Sequence, residues 1–199
     1  MQNLKAKVLE QPGLFNTIRS IIAGNQKQTK NFVNKYLVQY KAKTVLDIGC
    51  GTGDFVVSVP DTIEYIGADI NRNYISYAAR HFENAKRKFI LQDVTDAAFY
   101  KNRKFDAVLF ISMLHHLSDE ELKKILPIVK RMTKKVVIIA DIIPNPEGFV
   151  QKLMVKLDQG KFIRTQQDKI TILKKYFKIV HTEIIPSRLA VQFGIICEV

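Results

Sequence analysis

A loop of three glycines follows the first apolar run of the chain. Residues 45–55 read VLDIGCGTGDF, with the glycines at every second position after a β-branched stretch. A strand that passes through such a loop into a helix lets the backbone approach a ligand and turns the helix N-terminus toward it. Asp47 and Asp54 flank the loop, which lacks the lysine of a phosphate-binding loop. This pattern favours a ligand with positive charge and no phosphate. A dinucleotide should not bind, because Asp54 would repel its pyrophosphate.

Further polar residues stand at the ends of later apolar runs. Asp69 ends the run 65–69, and Asp93 follows the run that ends at residue 91. Taken alone, an aspartate at a strand end is usually a turn former or a helix cap. His115 and His116 follow the run 105–112. A histidine at the mouth of a sheet can remove a proton from a hydroxyl near neutral pH, although it can equally pack or cap the next helix.

Apolar runs and helical stretches alternate from residue 43 onward. Runs that are apolar on both faces, separated by helices, indicate a parallel sheet covered on two sides, the doubly wound α/β plan. The predicted strands are 44–48, 65–69, 88–91, 107–111 and 135–142, and the predicted helices are 73–82, 119–131, 166–177 and a stretch around 148–156. Ser118 and Glu121 form a capping box for helix 119–131, which Pro127 should kink or shorten. Runs 178–185 and 190–199 are joined too briefly for a parallel crossover, so we expect an antiparallel hairpin at the sheet edge.

The first forty residues show helical rather than strand periodicity. Two apolar stripes recur at helical spacing, broken around Gly24 and Asn25. They consist of Leu14, Ile18, Ile21 and Ile22, and of Phe32, Val33, Tyr36, Leu37 and Tyr40. A helix with a wide apolar stripe must lie on something. We therefore expect residues 1–40 to be a helical lid or cap on a single domain formed by residues 41–199.

The order of four segments resembles the class I S-adenosylmethionine-dependent methyltransferases. These segments are the glycine loop, Asp69, the pair Asp93 and Val94, and the run 105–112. The resemblance covers residues 9–199 and implies a Rossmann-like, seven-stranded methyltransferase sheet. It implies that Asp69 accepts the ribose hydroxyls of the cofactor and that Asp93 receives the adenine amino group beside Val94. The positions that match the cofactor site are Asp47, Gly49, Cys50, Gly51, Gly53, Asp69, Ile70, Asp93, Val94 and Ser112.

The methyl acceptor is expected beyond the ends of the first and fourth strands. His115 and His116 are the catalytic candidates there, with no basis in the sequence for choosing between them. Residues 9–15 and the pattern Asp-x-Gly-x-aromatic-x-Arg at 158–164 resemble a subgroup of small, stand-alone bacterial members of the family. Phe15, Asp158 and Arg164 are therefore candidate substrate residues. An arginine can grip a carboxylate or phosphate, or it can pair with Asp158 to pin the loop.

Composition limits the remaining alternatives. The 199 residues carry a net charge of +12 and include only two cysteines, Cys50 and Cys197, which we expect to be buried thiols without a disulfide or a metal site. Neither a membrane-spanning run nor a signal peptide is apparent, which favours a cytoplasmic protein. The basic charge is dispersed, so an anionic small molecule is the favoured partner and nucleic acid is a weaker one. The oligomeric state is not indicated.

Three functions follow from these observations. The first is methyl transfer from S-adenosylmethionine to a small molecule, at oxygen or carbon. The second is RNA or protein methylation through the basic surface. It lacks motif support, because the Asn/Asp-Pro-Pro-Tyr tetrapeptide and the paired cysteines of cytosine C5 enzymes are absent. The third is non-catalytic cofactor binding, which the intact glycines and aspartates disfavour.

Overall fold

Seven strands form one twisted sheet in the computed structural model, which describes residues 11–13, 16–17, 26–96, 103–144, 162–186 and 191–199. The strand order is β3-β2-β1-β4-β5-β7-β6, in which β1 to β5 are parallel and β7 is antiparallel to both of its neighbours. The strands are β1 Thr44–Ile48, β2 Glu64–Asp69, β3 Arg87–Leu91, β4 Phe105–Ile111, β5 Thr133–Ile142, β6 Lys178–Pro186 and β7 Val191–Glu198. The predicted doubly wound sheet and its terminal hairpin are confirmed.

Helices cover both faces of this sheet. The α-helices are α1 Lys27–Gln39, α2 Arg72–Phe82, α3 Asp119–Met132 and α4 Gln166–Leu173, and the short 3-10 helices are Asp54–Ser58 and Leu114–His116. Alternate residues of the central strands enter opposite cores, since Val45 and Leu109 pack in one cluster and Leu46 and Val108 in the other. This double burial explains why the strands read as continuous apolar runs.

Helix α1 belongs to the core and does not cap it. Its residues Phe32, Val33 and Leu37 are fully buried in the cluster that includes β1 and β5. The Phe32 ring lies where a side chain at Gly194 would be, because a Cβ there would come within 2.7 Å of its Cζ. The predicted division of the chain at residue 40 stays a prediction, and α1 packs directly against the sheet. Most of the earlier predicted helix, like the stretch around 148–156, lies outside the described residues.

The capping box predicted for helix α3 forms, whereas helix α4 ends earlier than predicted. Both halves of the predicted capping box form, with Ser118 accepting from the Glu121 backbone and Glu121 accepting from the Ser118 backbone. Pro127 lies inside α3 but does not shorten it, since the helix continues to Met132. Helix α4 ends at Leu173, four residues before the predicted end, and residues 174–176 form turns. No helix among the described residues is both long and apolar enough to cross a bilayer.

Candidate functional site

The three glycines adopt a backbone conformation that other residues rarely reach. Gly49, Gly51 and Gly53 have φ angles of 73°, 57° and 82°. A Cβ at Gly49 would also lie 2.4 Å from Cγ of Met113, whose side chain covers that end of the loop. The backbone N–H groups of Gly49 and Cys50 donate to the carbonyl of Ala68 at 2.8 Å and 3.1 Å. The loop is thus held against the end of β2, with its backbone open to a ligand.

Asp69 joins the glycine loop to the end of β2. Its Oδ2 accepts the Gly51 N–H at 2.9 Å, and its Oδ1 accepts the Asn71 N–H at 2.8 Å. Burial raises the pKa of this carboxyl, and the backbone hydrogen bonds oppose that rise. Each carboxylate oxygen has a second lone pair, so this fixed carboxylate can still accept the hydroxyls of a ribose.

Asp47 is a buried carboxyl one residue before the end of β1. Its Oδ2 accepts a hydrogen bond from the Tyr65 hydroxyl at 2.7 Å. Its Oδ1 is also buried and has no hydrogen-bond partner among the described residues. Burial raises the pKa of Asp47 to about 7. An unpaired buried acceptor is costly, and a ligand that brings a positively charged donor would remove the cost. The site therefore fits the ammonium group of S-adenosylmethionine.

The other predicted cofactor positions surround the same edge of the sheet. Asp93 is exposed after β3, and its Oδ1 accepts from the backbone and hydroxyl of Thr95 at 2.8 Å each. Val94 beside it is buried, whereas Ile70 is 71% exposed. Ser112 follows β4 with a φ of 52°, and its hydroxyl accepts from Gln192 at 2.9 Å. The structure thus brings the ends of β1, β2, β3 and β4 to one edge, as the resemblance implies.

Cys50 can contribute its backbone to the site, but its thiol takes no part in chemistry. Its Sγ packs against β2, where a Cβ at Gly67 would approach it to 2.8 Å. Burial raises the pKa of the Cys50 thiol, so the group stays protonated and is not a nucleophile. Burial likewise raises the pKa of Cys197 to about 12. Both thiols are buried, as predicted.

A buried ionic cluster lies behind the two histidines. His115 Nδ1 is 2.6 Å from Oδ1 of Asp141, and Lys169 Nζ is 2.5 Å from the other carboxylate oxygen. All three side chains are at most 2% exposed. The pKa of Asp141 is lowered to about 2, because the attraction of His115 and Lys169 outweighs burial. Since Asp141 is ionised, the hydrogen bond between the two side chains is donated by His115 Nδ1–H.

The sequence reasoning missed two members of this cluster. Asp141 stands near the carboxyl end of β5, the same kind of position that singled out Asp69. That signal was present and was not used. Lys169 lies on α4 and is one of many lysines in the chain, so its residue type alone does not indicate a buried ion pair. His116 differs from His115 in being exposed, although the two ring centroids are 4.2 Å apart.

Arg164 is occupied by the protein itself, which is a correction to its predicted role in gripping an acceptor. Its guanidinium donates twice to Asp119 Oδ1, at 3.0 Å and 2.6 Å, and also to three backbone carbonyls. Those carbonyls belong to Leu114, Leu117 and Phe162, at 3.0 Å, 2.8 Å and 3.2 Å. These contacts use all five guanidinium N–H groups. Arg164 therefore holds its own segment against the turn Leu114–His116, and its predicted partner Asp158 lies outside the described residues.

One contact brings the chain's early residues to the glycine loop. The fully buried Thr52 hydroxyl donates to Asn16 Oδ1 at 2.7 Å. This contact agrees with the expectation that residues before α1 lie over the site. Phe15 and Asp158, the other two predicted substrate residues, lie outside the described residues.

Comparison with known proteins agrees with this geometry. Residues 45–136 match the family described as "Methyltransferase domain". Over 104 residues, half of this chain, the sequence is 30% identical to phosphoethanolamine N-methyltransferase 3 of Arabidopsis thaliana. The chain spans only 20% to 24% of the length of the curated relatives it matches.

Solved structures share the fold over most of the chain. Magnesium protoporphyrin IX methyltransferase from Synechocystis, with bound S-adenosylhomocysteine, superposes with a TM-score of 0.68 at 21% identity, covering 87% of this chain and 83% of that one. The N-methyltransferase NodS from Bradyrhizobium japonicum superposes with a TM-score of 0.70 at 14% identity, covering 88% and 86%. These structures show that the chain has the fold of class I S-adenosylmethionine-dependent methyltransferases, and residues 45–136 are similar to a methyltransferase domain.

Proposed function

We propose that this chain is a class I methyltransferase that transfers the methyl group of S-adenosylmethionine to a small-molecule acceptor. The observation that carries the proposal is the buried Oδ1 of Asp47, which has no hydrogen-bond partner among the described residues and lies beside a glycine loop bordered by a second carboxylate, Asp69. Such a site suits a cationic ligand with hydroxyls and opposes a phosphate. The bound cofactor would supply an electrophilic methyl group on a sulfonium.

Each part of the site would bind a different portion of that cofactor. Asp47 would hold the ammonium, Asp69 the ribose hydroxyls, and the turn of Asp93 and Val94 the adenine. The left-handed glycines leave room for the cofactor's methionine portion against the backbone. Methyl transfer is an in-line displacement, so alignment and exclusion of water are the protein's main contributions.

The acceptor atom is proposed to be oxygen or carbon. Removal of a proton from a hydroxyl needs a base, and His115 is the first candidate because Asp141 fixes its ring through Nδ1. The exposed His116 is the alternative base. The Arabidopsis relative is named for methylation of a nitrogen, so nitrogen is the competing atom. The same name describes a small phosphorylated acceptor, which agrees with the basic charge of this chain.

Placement of basic residues supports a small acceptor over RNA. Lys43, Lys104, Lys134 and Lys135 lie at the amino ends of β1, β4 and β5. Strands β1, β4 and β5 are parallel, so this basic edge is opposite to the carboxyl ends that carry the glycine loop. Two of these lysines also lie within 4 Å of Asp106, at 3.9 Å and 3.8 Å. An RNA bound there would be far from the methyl group.

The experiment is methyl transfer from labelled S-adenosylmethionine to a cell extract separated into small-molecule, RNA and protein fractions. We expect label in the small-molecule fraction with the wild-type protein. Asp69→Asn is the matched control, because it keeps the shape of the side chain while removing the charge. We expect it to lose about 1 to 3 kcal/mol of cofactor affinity. Label in RNA or protein alone would overturn the small-molecule assignment.

A further inference from the structure

We propose that Tyr65 is a positioning residue: its hydroxyl fixes one oxygen of Asp47, favours the ionised carboxylate, and leaves the other oxygen for the cofactor's ammonium group. The inference deepens the proposed function and rests on its assignment of S-adenosylmethionine. Tyr65 is on β2, outside the glycine loop and outside the residues that the family resemblance assigns to the cofactor.

The geometry gives Tyr65 a single orientation. It is fully buried, and its ring packs at 57° against Phe89 with centroids 5.7 Å apart. In the sheet register Tyr65 lies beside Val45, while Asp47 lies beside Gly67. The phenol therefore reaches along the sheet to place its hydroxyl 2.7 Å from Asp47 Oδ2. One carboxylate oxygen is thereby fixed by the protein, and the other is left for a ligand.

Within the described part of the chain, the groups that face Asp47 leave its charge uncompensated. Tyr65 and Asp69 face it from β2, and the Cys50 thiol faces it from the glycine loop. None of these three groups is a cation, and Asp69 repels a second negative charge. Burial raises the pKa of Asp47 to about 7, and the Tyr65 hydrogen bond opposes that rise. Without the phenol, Asp47 would hold its proton to still higher pH.

The cofactor supplies the missing positive charge. An ammonium group can pair with Asp47 only when the carboxyl is ionised, so binding below the pKa of Asp47 must expel one proton. The dissociation constant should then rise about tenfold for each pH unit below about 7 and level off above it. Loss of the Tyr65 hydroxyl should move this bend to higher pH. A purely structural role for Tyr65 would weaken binding equally at every pH.

The test is calorimetric titration of S-adenosylhomocysteine into wild-type protein, Tyr65→Phe and Asp47→Asn over a range of about pH 5.5 to 8.5. S-adenosylhomocysteine carries the ammonium but no sulfonium, which isolates the pairing with Asp47. Tyr36→Phe, which alters a buried tyrosine of α1, is the matched control. We expect the wild type and Tyr36→Phe to share the bend near neutrality. Tyr65→Phe should bind about tenfold more weakly at pH 7 and recover at the upper end of the range, and Asp47→Asn should bind weakly without a bend.

Two outcomes would overturn the inference, namely a wild-type affinity that does not change with pH and a loss in Tyr65→Phe that is constant with pH. If Tyr65→Phe fails to fold, the wild type still decides, because binding near pH 6 should release about one proton, read from the heat in buffers of different ionisation enthalpy. No release would refute the proton link. Absence of S-adenosylhomocysteine binding at every pH would instead refute the proposed cofactor.

Discussion

Replacing Asp47 by asparagine should make the protein without ligand more stable at neutral pH, although it removes a cofactor contact. The unfolded chain loses the Asp47 proton near its ordinary pKa of 3.8, whereas the folded protein keeps it to about 7. Between these values the unfolded state binds fewer protons, so stability falls as pH rises. The difference corresponds to about 4 kcal/mol above pH 7. Asparagine carries no charge and therefore avoids this loss.

The net gain in stability of Asp47→Asn is smaller than this pH-dependent contribution. The new amide nitrogen would occupy the place of Oδ1, which has no partner among the described residues, at a cost of about 1 to 3 kcal/mol. We expect Asp47→Asn to gain about 1 to 3 kcal/mol at pH 8. The free energy of unfolding of Asp47→Asn, relative to that of the wild type, should increase by about 3 kcal/mol between about pH 5 and pH 8.

Urea unfolding of both proteins at several pH values measures this difference. Bound ligand must first be removed, since it would stabilise the wild type by mass action. Other carboxyl groups titrate in both proteins and cancel in the comparison. A difference in stability that stays constant from pH 5 to pH 8 would show that the pKa of Asp47 is not raised in the folded protein.

Three further substitutions test other parts of the site. Lys169→Met should cost about 3 to 5 kcal/mol in urea unfolding because it strands the Asp141 charge, and adding Asp141→Asn should recover part of that loss. Gly49→Ala should cost about 1 to 3 kcal/mol because of its positive φ, with little rescue by Met113→Ala, since that side chain can move. Arg164→Ala should lower stability by about 1 to 3 kcal/mol and leave cofactor affinity unchanged. If Arg164→Ala leaves stability unaltered, the result would contradict the structural role of Arg164 and favour the predicted role in gripping the acceptor.

The sheet could be predicted because each strand carries its own signal. The central strands β1, β4 and β5 are buried on both faces, and the five predicted parallel strands fall within the observed ones. The short connection after Pro186 was enough to predict the antiparallel hairpin. Helix α1 shows the limit of this reasoning, since an apolar stripe shows that a helix is covered but not by what. Its buried residues pack in the core cluster on one face of the sheet, which the stripe alone could not predict.

Side-chain pairs across the fold could not be predicted from sequence patterns. Tyr65 contacts Asp47 from a neighbouring strand, and Lys169 contacts Asp141 across 28 residues of chain. Neither pair has a spacing that a motif would reveal. Arg164 was predicted from the pattern at residues 158–164. Its five hydrogen bonds, however, depend on the position of the turn Leu114–His116 in the fold. Glycine and aspartate positions were predictable because their roles follow from the backbone at strand ends.

The most direct test of the account compares S-adenosylhomocysteine with NAD by calorimetric titration near pH 8, where Asp47 is ionised. S-adenosylhomocysteine offers an ammonium and a ribose to Asp47 and Asp69, whereas NAD would place its pyrophosphate against Asp54 at the start of the 3-10 helix. We predict saturable binding of S-adenosylhomocysteine and no measurable binding of NAD. Comparable binding of NAD, or no binding of S-adenosylhomocysteine, would contradict the account.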